Sequence, residues 1–314
     1  MQTVAISVGD LNGIGIQLIL ENHHIISQQI HPLYCIDRQM LKQAAKKLEL
    51  DIPKNFHTIE NIAPYFEINA AVVSKESGAY AYASFVKAVD LAKEKKVDAI
   101  CTLPIHKKAW ELAGVTYKGH TDALRDFFNA EAIMMLGCEK MYVALFTEHI
   151  PLKEVAKSIN EKDLTRFLLD FYKTAKPKKQ VAVLGLNPHA GDDGVLGDEE
   201  KIIQEVIDNA NVTLRQTQGT VVEPVEAFSG PLVPDVAFTS RVRVNYSHYI
   251  AMYHDQGLAP LKALYFDEGI NVSLNLPILR TSVDHGTAFD IAYTHTTLNA
   301  LSYINAIHYI KDNL

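Results

Sequence analysis

Short β-branched runs alternate with amphipathic stretches along this sequence, which predicts an α/β protein built on a largely parallel sheet. Two further observations support that class. A glycine-rich turn, Gly9 to Gly15, follows directly on the first apolar run, as a strand-to-helix connection requires. The chain has 314 residues, enough for about two domains of ~150 residues each.

The elements follow in order from local pattern. Thr3 to Val8 reads as a strand, and Ile14 to Ile26 as the helix after the turn. Pro32 to Ile36 is a second strand, before a helix whose Leu41, Ala44, Ala45 and Leu48 share one face. The clearest helical spacing is Phe85, Ala88, Val89 and Ala92 within Ala81 to Lys96. Val97 to Leu103 is then a buried strand, with further strands at Met141 to Phe146, Gln180 to Leu186, Tyr249 to Met252 and Ile270 to Leu274. Helices are expected at Asp163 to Thr174, Glu199 to Asn209, Thr287 to Tyr293 and Leu298 to Lys311. There is no internal repeat and no low-complexity linker.

Composition excludes several classes. Hydrophobic residues at 48% and charged residues at 21% are those of a globular chain, not a disordered one. Thirty basic against 37 acidic side chains give a net charge of −7, without the basic face of a general nucleic-acid binder. No uncharged run reaches the ~18–20 apolar residues of a membrane helix, and no secretory leader opens the sequence. Cysteine is scarce, only Cys35, Cys101 and Cys138, so a disulfide scaffold or zinc ribbon is excluded and a cytoplasmic location is expected.

Histidine carries the chemical signal. His149, His189 and His254 each lie just past an expected strand, where parallel sheets form their ligand crevices. Three imidazoles delivered there suit a divalent metal with an open coordination position. Gly119-His120-Thr121-Asp122 precedes a helical stretch and offers backbone amides, a hydroxyl and an imidazole to an anion. Lys262, Asn271 and Arg280 follow, the lysine and guanidinium being usual phosphate counter-ions. Arg280 falls in what reads as a polar loop, continuous with Asp284-His285-Gly286-Thr287. Thr287 is placed to cap the helix expected after it. Gly9 to Gly15 has the wrong glycine spacing for a Rossmann fingerprint, and neither a P-loop nor a Gly-x-Ser-x-Gly elbow is present.

These residues, with Leu103-Pro104-Ile105-His106-Lys107, Leu186-Asn187-Pro188-His189-Ala190-Gly191, Tyr253-His254-Asp255-Gln256-Gly257-Leu258 and Leu279 to Ala288, resemble the 4-hydroxythreonine-4-phosphate dehydrogenase family of pyridoxal phosphate biosynthesis. The resemblance runs over nearly the whole chain. It implies a two-lobed α/β/α fold like that of isocitrate and isopropylmalate dehydrogenases, with the active site in the cleft between lobes. The first lobe would be residues 1–122 with 268–314, and the second, 123–267, would carry dimerisation and the metal ligands. It further implies a homodimer in which His149, His189 and His254 bind the metal, His254 coming across the interface. His120, Thr121, Lys262, Asn271 and Arg280 would bind substrate, and Asp284, His285, Gly286 and Thr287 would meet NAD or NADP. Lys107 and Asp235 are the candidates for the catalytic base. Zinc suits the imidazoles best, with magnesium or cobalt also accepted.

The implied reaction is metal-assisted oxidation and decarboxylation of 4-phosphooxy-L-threonine to 3-amino-2-oxopropyl phosphate, without nucleic-acid or membrane partners. A sister dehydrogenase acting on D-threonate or D-erythronate 4-phosphate is the nearest alternative. A metal-dependent hydrolase or a catalytically silent binding protein is the alternative from another class. The sequence departs from the family at Val8 to Gly15, where Pro-Gly-Glu-Pro-Ala-Gly-Ile-Gly is usual. It departs also at Asn275 and Tyr293, where glycines are usual, and in Pro234 to Phe238, which lacks a threonine beside the acid.

Overall fold

A computed structural model describes residues 1–218 and 226–314. The chain begins with β1 (Thr3–Ser7), α1 (Gly15–Ile26), β2 (His31–Cys35), α2 (Arg38–Leu48), β3 (His57–Thr58), α3 (Lys75–Lys93), β4 (Ala99–Thr102), α4 (Lys107–Leu112) and α5 (His120–Phe128). It continues through β5 (Ile133–Cys138), β6 (Met141–Leu145), α6 (Val155–Ser158), α7 (Glu161–Ala175), β7 (Val181–Leu184), α8 (Glu199–Gln218), β8 (Phe228–Leu232), α9 (Pro234–Ala237), α10 (Ser240–Arg243), β9 (His248–Ala251) and α11 (His254–Tyr265). It closes with β10 (Ile270–Leu274), β11 (Leu279–Val283) and α12 (Leu301–Asn313). Two compact units result: Met1–Ala130 with Asp267–Leu314, and Glu131–Phe266. A division at residue 122 would cut α5, which lies wholly in the first unit.

In the first unit the strand order is β3-β2-β1-β4-β11-β10. All neighbours are parallel except the antiparallel pair β10 and β11. Strand β1 forms because Val4, Ala5 and Ile6 are fully buried, each contributing ~1–3 kcal/mol of burial free energy. Helix α3 packs Phe85, Ala88 and Val89 into a core with Ile100, Trp110 and Leu124. It begins before the apolar spacing does, because the Ser74 hydroxyl accepts from Ser77 N at 3.0 Å, a cap of about 1 kcal/mol.

The second unit orders its strands β5-β6-β9-β7-β8. Strands β5 and β6 are antiparallel, while β6, β9, β7 and β8 run parallel. Its core joins Val143, Leu145, Ala182, Leu184, Tyr249 and Ala251 to Leu258 and Leu261 of α11.

Two expectations are corrected. Arg280-Thr281-Ser282 belongs to β11 and not to a loop. Thr287 to Tyr293 is a series of turns: Ala288 (φ 42°) and Tyr293 (φ 60°) take left-handed backbone that ends any helix, so Thr287 caps nothing. Among the described residues, no helix is long and apolar enough to cross a membrane.

Candidate active site

Strands β6, β9 and β7 are adjacent and parallel, with Leu145 opposite Ala251 and Val183 opposite Ile250. Their carboxyl ends therefore open on one edge of the second unit, and each leads into one of the three histidines. His149 and His254 come together there, ring centroids 5.5 Å apart. The Asp255 carboxylate lies 2.7 Å from His254 Nδ1. A carboxylate on one imidazole nitrogen fixes the tautomer and leaves the other nitrogen to a metal. His189 is exposed and lies outside that pair, in a turn where residues 189–193 all have left-handed backbone, φ 45° to 81°. Among the described residues, no three His, Cys, Asp or Glu side chains converge tightly enough to hold a cation.

The turn bearing His189 is anchored by Glu200, which sequence reasoning missed. Its buried carboxylate accepts from Leu186 N at 2.8 Å, Asn187 N at 2.7 Å and Asn187 Nδ2 at 2.9 Å. Gln256, also missed, accepts from Met252 N and donates to Gly185 O, both at 2.7 Å. The visible signal was position alone: Glu200 opens the helix after a glycine-rich loop, and Gln256 follows His254 by two residues.

In the first unit, Arg280 is 2% exposed. Its guanidinium donates to Thr102 Oγ1 at 2.6 Å, Ser273 Oγ at 3.2 Å and Asn271 Oδ1 at 3.5 Å. Its Nε is buried without a partner. All three acceptors are neutral, and burial pushes the guanidinium pKa down to about 10. His120 opens α5 against Phe85 and Trp110, at 4.8 and 5.4 Å between ring centroids. Its Nε2 is likewise buried and unpartnered. Burial first, then the nearby Arg280 charge, hold its pKa well below the usual histidine value. Thr121 is buried beside it. A cation facing only dipoles, with an orphaned imidazole nitrogen and a helix N-terminus, is the chemistry of an anion pocket. Lys262 lies in the last turn of α11, in the second unit, 5.6 Å from the Phe266 ring centre.

Asp284-His285-Gly286-Thr287 leaves the carboxyl end of β11. The segment is strapped to the turn after β1: Ile14 N donates to Thr287 O at 3.1 Å, and Tyr293 Oη to Leu11 O at 2.7 Å. Gly13 permits this, since a Cβ there would sit 2.7 Å from Thr287 O. His285 Nε2 is buried and unpartnered. Burial raises the pKa of the neighbouring Asp10 carboxyl, against hydrogen bonds from Asn12 and Ser77. The acid that would mark a Rossmann site, Asp37 after β2, accepts instead from Asn61 N, Ile62 N and Tyr80 Oη. Of the two base candidates, Lys107 opens α4 in the first unit and Asp235 lies in α9 of the second; both are exposed.

Two parallel-sheet units, one with a buried cationic pocket and one with imidazoles along its strand ends, are the equipment of an α/β enzyme. Residues 28–310 match the family described as pyridoxal phosphate biosynthetic protein PdxA. The 4-hydroxythreonine-4-phosphate dehydrogenase of Sulfurimonas denitrificans is 58% identical over 304 residues, 97% of this chain and 95% of that protein. The protein of the same name from Helicobacter pylori strain HPAG1 is 46% identical over 312 residues, 98% of each. The crystal structure of a 4-hydroxythreonine-4-phosphate dehydrogenase from Burkholderia phymatum superposes with a TM-score of 0.78 at 30% identity, covering 99% of this chain and 98% of that one. The chain belongs to the PdxA family and is an oxidoreductase.

Proposed function

We propose that this enzyme oxidises and decarboxylates 4-phosphooxy-L-threonine to 3-amino-2-oxopropyl phosphate in the cytoplasm, using NAD or NADP and one divalent metal. The observation that carries the reading is the Arg280–His120 pocket: a buried guanidinium bonded to three neutral acceptors, with Nε unpartnered beside an orphaned imidazole nitrogen, suits an anionic ligand. The first-unit donors fit a phosphate. Arg280 supplies charge, neutral His120 and Thr121 supply hydrogen bonds, Asn271 holds the guanidinium, and the α5 amides complete the cradle.

The second-unit donors fit a divalent cation. His149 and His254 are already paired, Asp255 orients His254, and His189 comes from the neighbouring strand end. Zinc is the best match to imidazole ligation, with cobalt or magnesium accommodated. The set is completed in a homodimer, one histidine being contributed across the interface. The closeness of His149 and His254 within one chain favours His189 for that role over His254.

When bound, the cation supplies Lewis acidity and the oxidised nicotinamide supplies the hydride acceptor. Asp284 to Thr287, held by Ile14 and Tyr293, form the surface against which the nucleotide lies. Asp235 and Lys107 are the candidates to take the hydroxyl proton.

Turnover of 4-phosphooxy-L-threonine and of D-erythronate 4-phosphate, each with NAD+ and NADP+, tests the proposal. Reduced nicotinamide and CO2 in equal amounts from the amino substrate support it. Turnover of the sugar acid alone overturns the substrate assignment, and no nicotinamide reduction with either overturns the reaction.

A further inference from the structure

We infer that Gln256 is the positioning residue that sets the three histidine-bearing loops in one register. The inference rests on the metal reading above. Gln256 is 8% exposed in the first turn of α11. Its amide oxygen accepts from Met252 N at 2.7 Å, and its amide nitrogen donates to Gly185 O at 2.7 Å. Met252 lies two residues before His254, and Gly185 four before His189. The other backbone group of Met252 is used as well: its carbonyl accepts from Thr147 Oγ1 at 2.6 Å and Thr147 N at 3.2 Å. Thr147 lies two residues before His149. One run of hydrogen bonds, Thr147 to Met252 to Gln256 to Gly185, thus crosses all three strand ends at the positions where they leave the sheet.

The side chain is chemically specified. The two backbone groups it bridges need one acceptor and one donor, and a primary amide of this length offers both. A carboxylate lacks the donor, and an apolar side chain leaves both groups unpaired in a buried place. Gly257 makes the reach possible: a Cβ there would sit 2.4 Å from Val143 Cγ1 and 2.8 Å from Ala251 Cβ. The helix start therefore rests directly on the sheet. The amide is buried, so water does not compete for the bonds.

The test measures cobalt(II) and zinc(II) binding to the metal-free enzyme by titration, together with the cobalt visible spectrum. Thermal melting of the same metal-free proteins is recorded alongside. Gln256→Met is expected to weaken metal binding about 10–100-fold, the usual effect of losing an outer-shell support, and to alter the cobalt spectrum. Thr147→Val keeps its backbone bond and a similar volume, so it serves as the folded test if Gln256→Met fails to fold. It is expected to weaken binding severalfold while the metal-free melt moves by no more than about 2–4 °C. Wild-type affinity and an unchanged cobalt spectrum in both variants, or in Thr147→Val where it alone folds, overturn the inference. A wild-type enzyme that binds neither cation overturns the metal reading itself, and this inference with it.

Discussion

Arg280 on β11 reaches Thr102 on the adjacent parallel strand β4, its Nη2 donating to the threonine hydroxyl at 2.6 Å inside the first unit. The bond aims a forked cation without neutralising it. Arg280→Lys keeps a charge but loses the fork, and charged hydrogen bonds are worth about 1.5–3 kcal/mol. Its KM for the phosphorylated substrate is expected to rise at least about tenfold. Arg280→Met is expected to lose turnover while melting at or above the wild-type temperature, because an unpaired buried cation has been removed. Steady-state kinetics and a melting curve check both.

Mixed dimers decide which histidine crosses the interface. His149→Ala, His189→Ala and His254→Ala are each expected to abolish turnover, as is a chelator, with recovery on adding zinc or cobalt. If His149 and His254 share a chain at each site, combining His149→Ala with His189→Ala chains leaves one intact site per mixed dimer. About a quarter of wild-type activity should return. Combining His149→Ala with His254→Ala chains should return none; the reverse pattern assigns His254 to the partner.

Acid should destabilise the fold through its buried histidines. Burial lowers His248 to about 4 and holds His120 well below the usual value. Both are therefore neutral in the folded chain where the unfolded chain takes up protons. Their contribution is complete above pH ~6.5 and is lost as pH falls from there towards 4, at about 1.4 kcal/mol per pH unit for each. Urea unfolding at pH 7.5 and 5.0 should show the loss. His248→Gln, which can still bond Ser247, should make it shallower; an identical slope refutes the assignment.

The strap between Gly13 and Thr287 predicts a selective kinetic defect. Gly13→Ala places a methyl 2.7 Å from Thr287 O, so the 284–287 segment must shift. KM for the nicotinamide nucleotide is expected to rise severalfold, with KM for the phosphorylated substrate unchanged. Equal effects on both would separate this segment from nucleotide binding.

The proton acceptor is separable by pH profile. Asp235→Asn or Lys107→Met should cost about 10²–10⁴-fold in kcat if that side chain is the base. The acidic limb of the wild-type profile should disappear with it. A variant with normal kcat and an unchanged limb is excluded from the role.

Much of this was legible because strand and histidine coincide. Apolar runs ending in Phe146, Leu186 and Met252 marked the three strands, and the histidines follow them by a few residues. What spacing could not supply was strand order: only pairing of β6 with β9 and of β9 with β7 makes those ends neighbours. Strand β11 hid because Arg280, Thr281 and Ser282 are polar; Arg280 and Ser282 are buried by bonding to Thr102, far away in sequence, and Arg280 also to Ser273 and Asn271 of the paired strand. Strand β5, Ile133–Cys138, hid for the opposite reason, being apolar at nearly every position and so without alternation. The expected helix after Thr287 failed on Ala288 and Tyr293, whose left-handed backbone no propensity announces.

Asp37 closes off a familiar route for altering coenzyme choice. In dinucleotide folds the acid after the second strand grips the ribose, and replacing it is how preference is exchanged between the two coenzymes. Here both carboxylate oxygens already clamp the chain at residues 61–63 and the Tyr80 hydroxyl. An engineer who substituted Asp37 would loosen a surface loop and leave coenzyme discrimination where it was. On the proposed nucleotide surface, redesign belongs instead at the turn after β1 and the segment it straps.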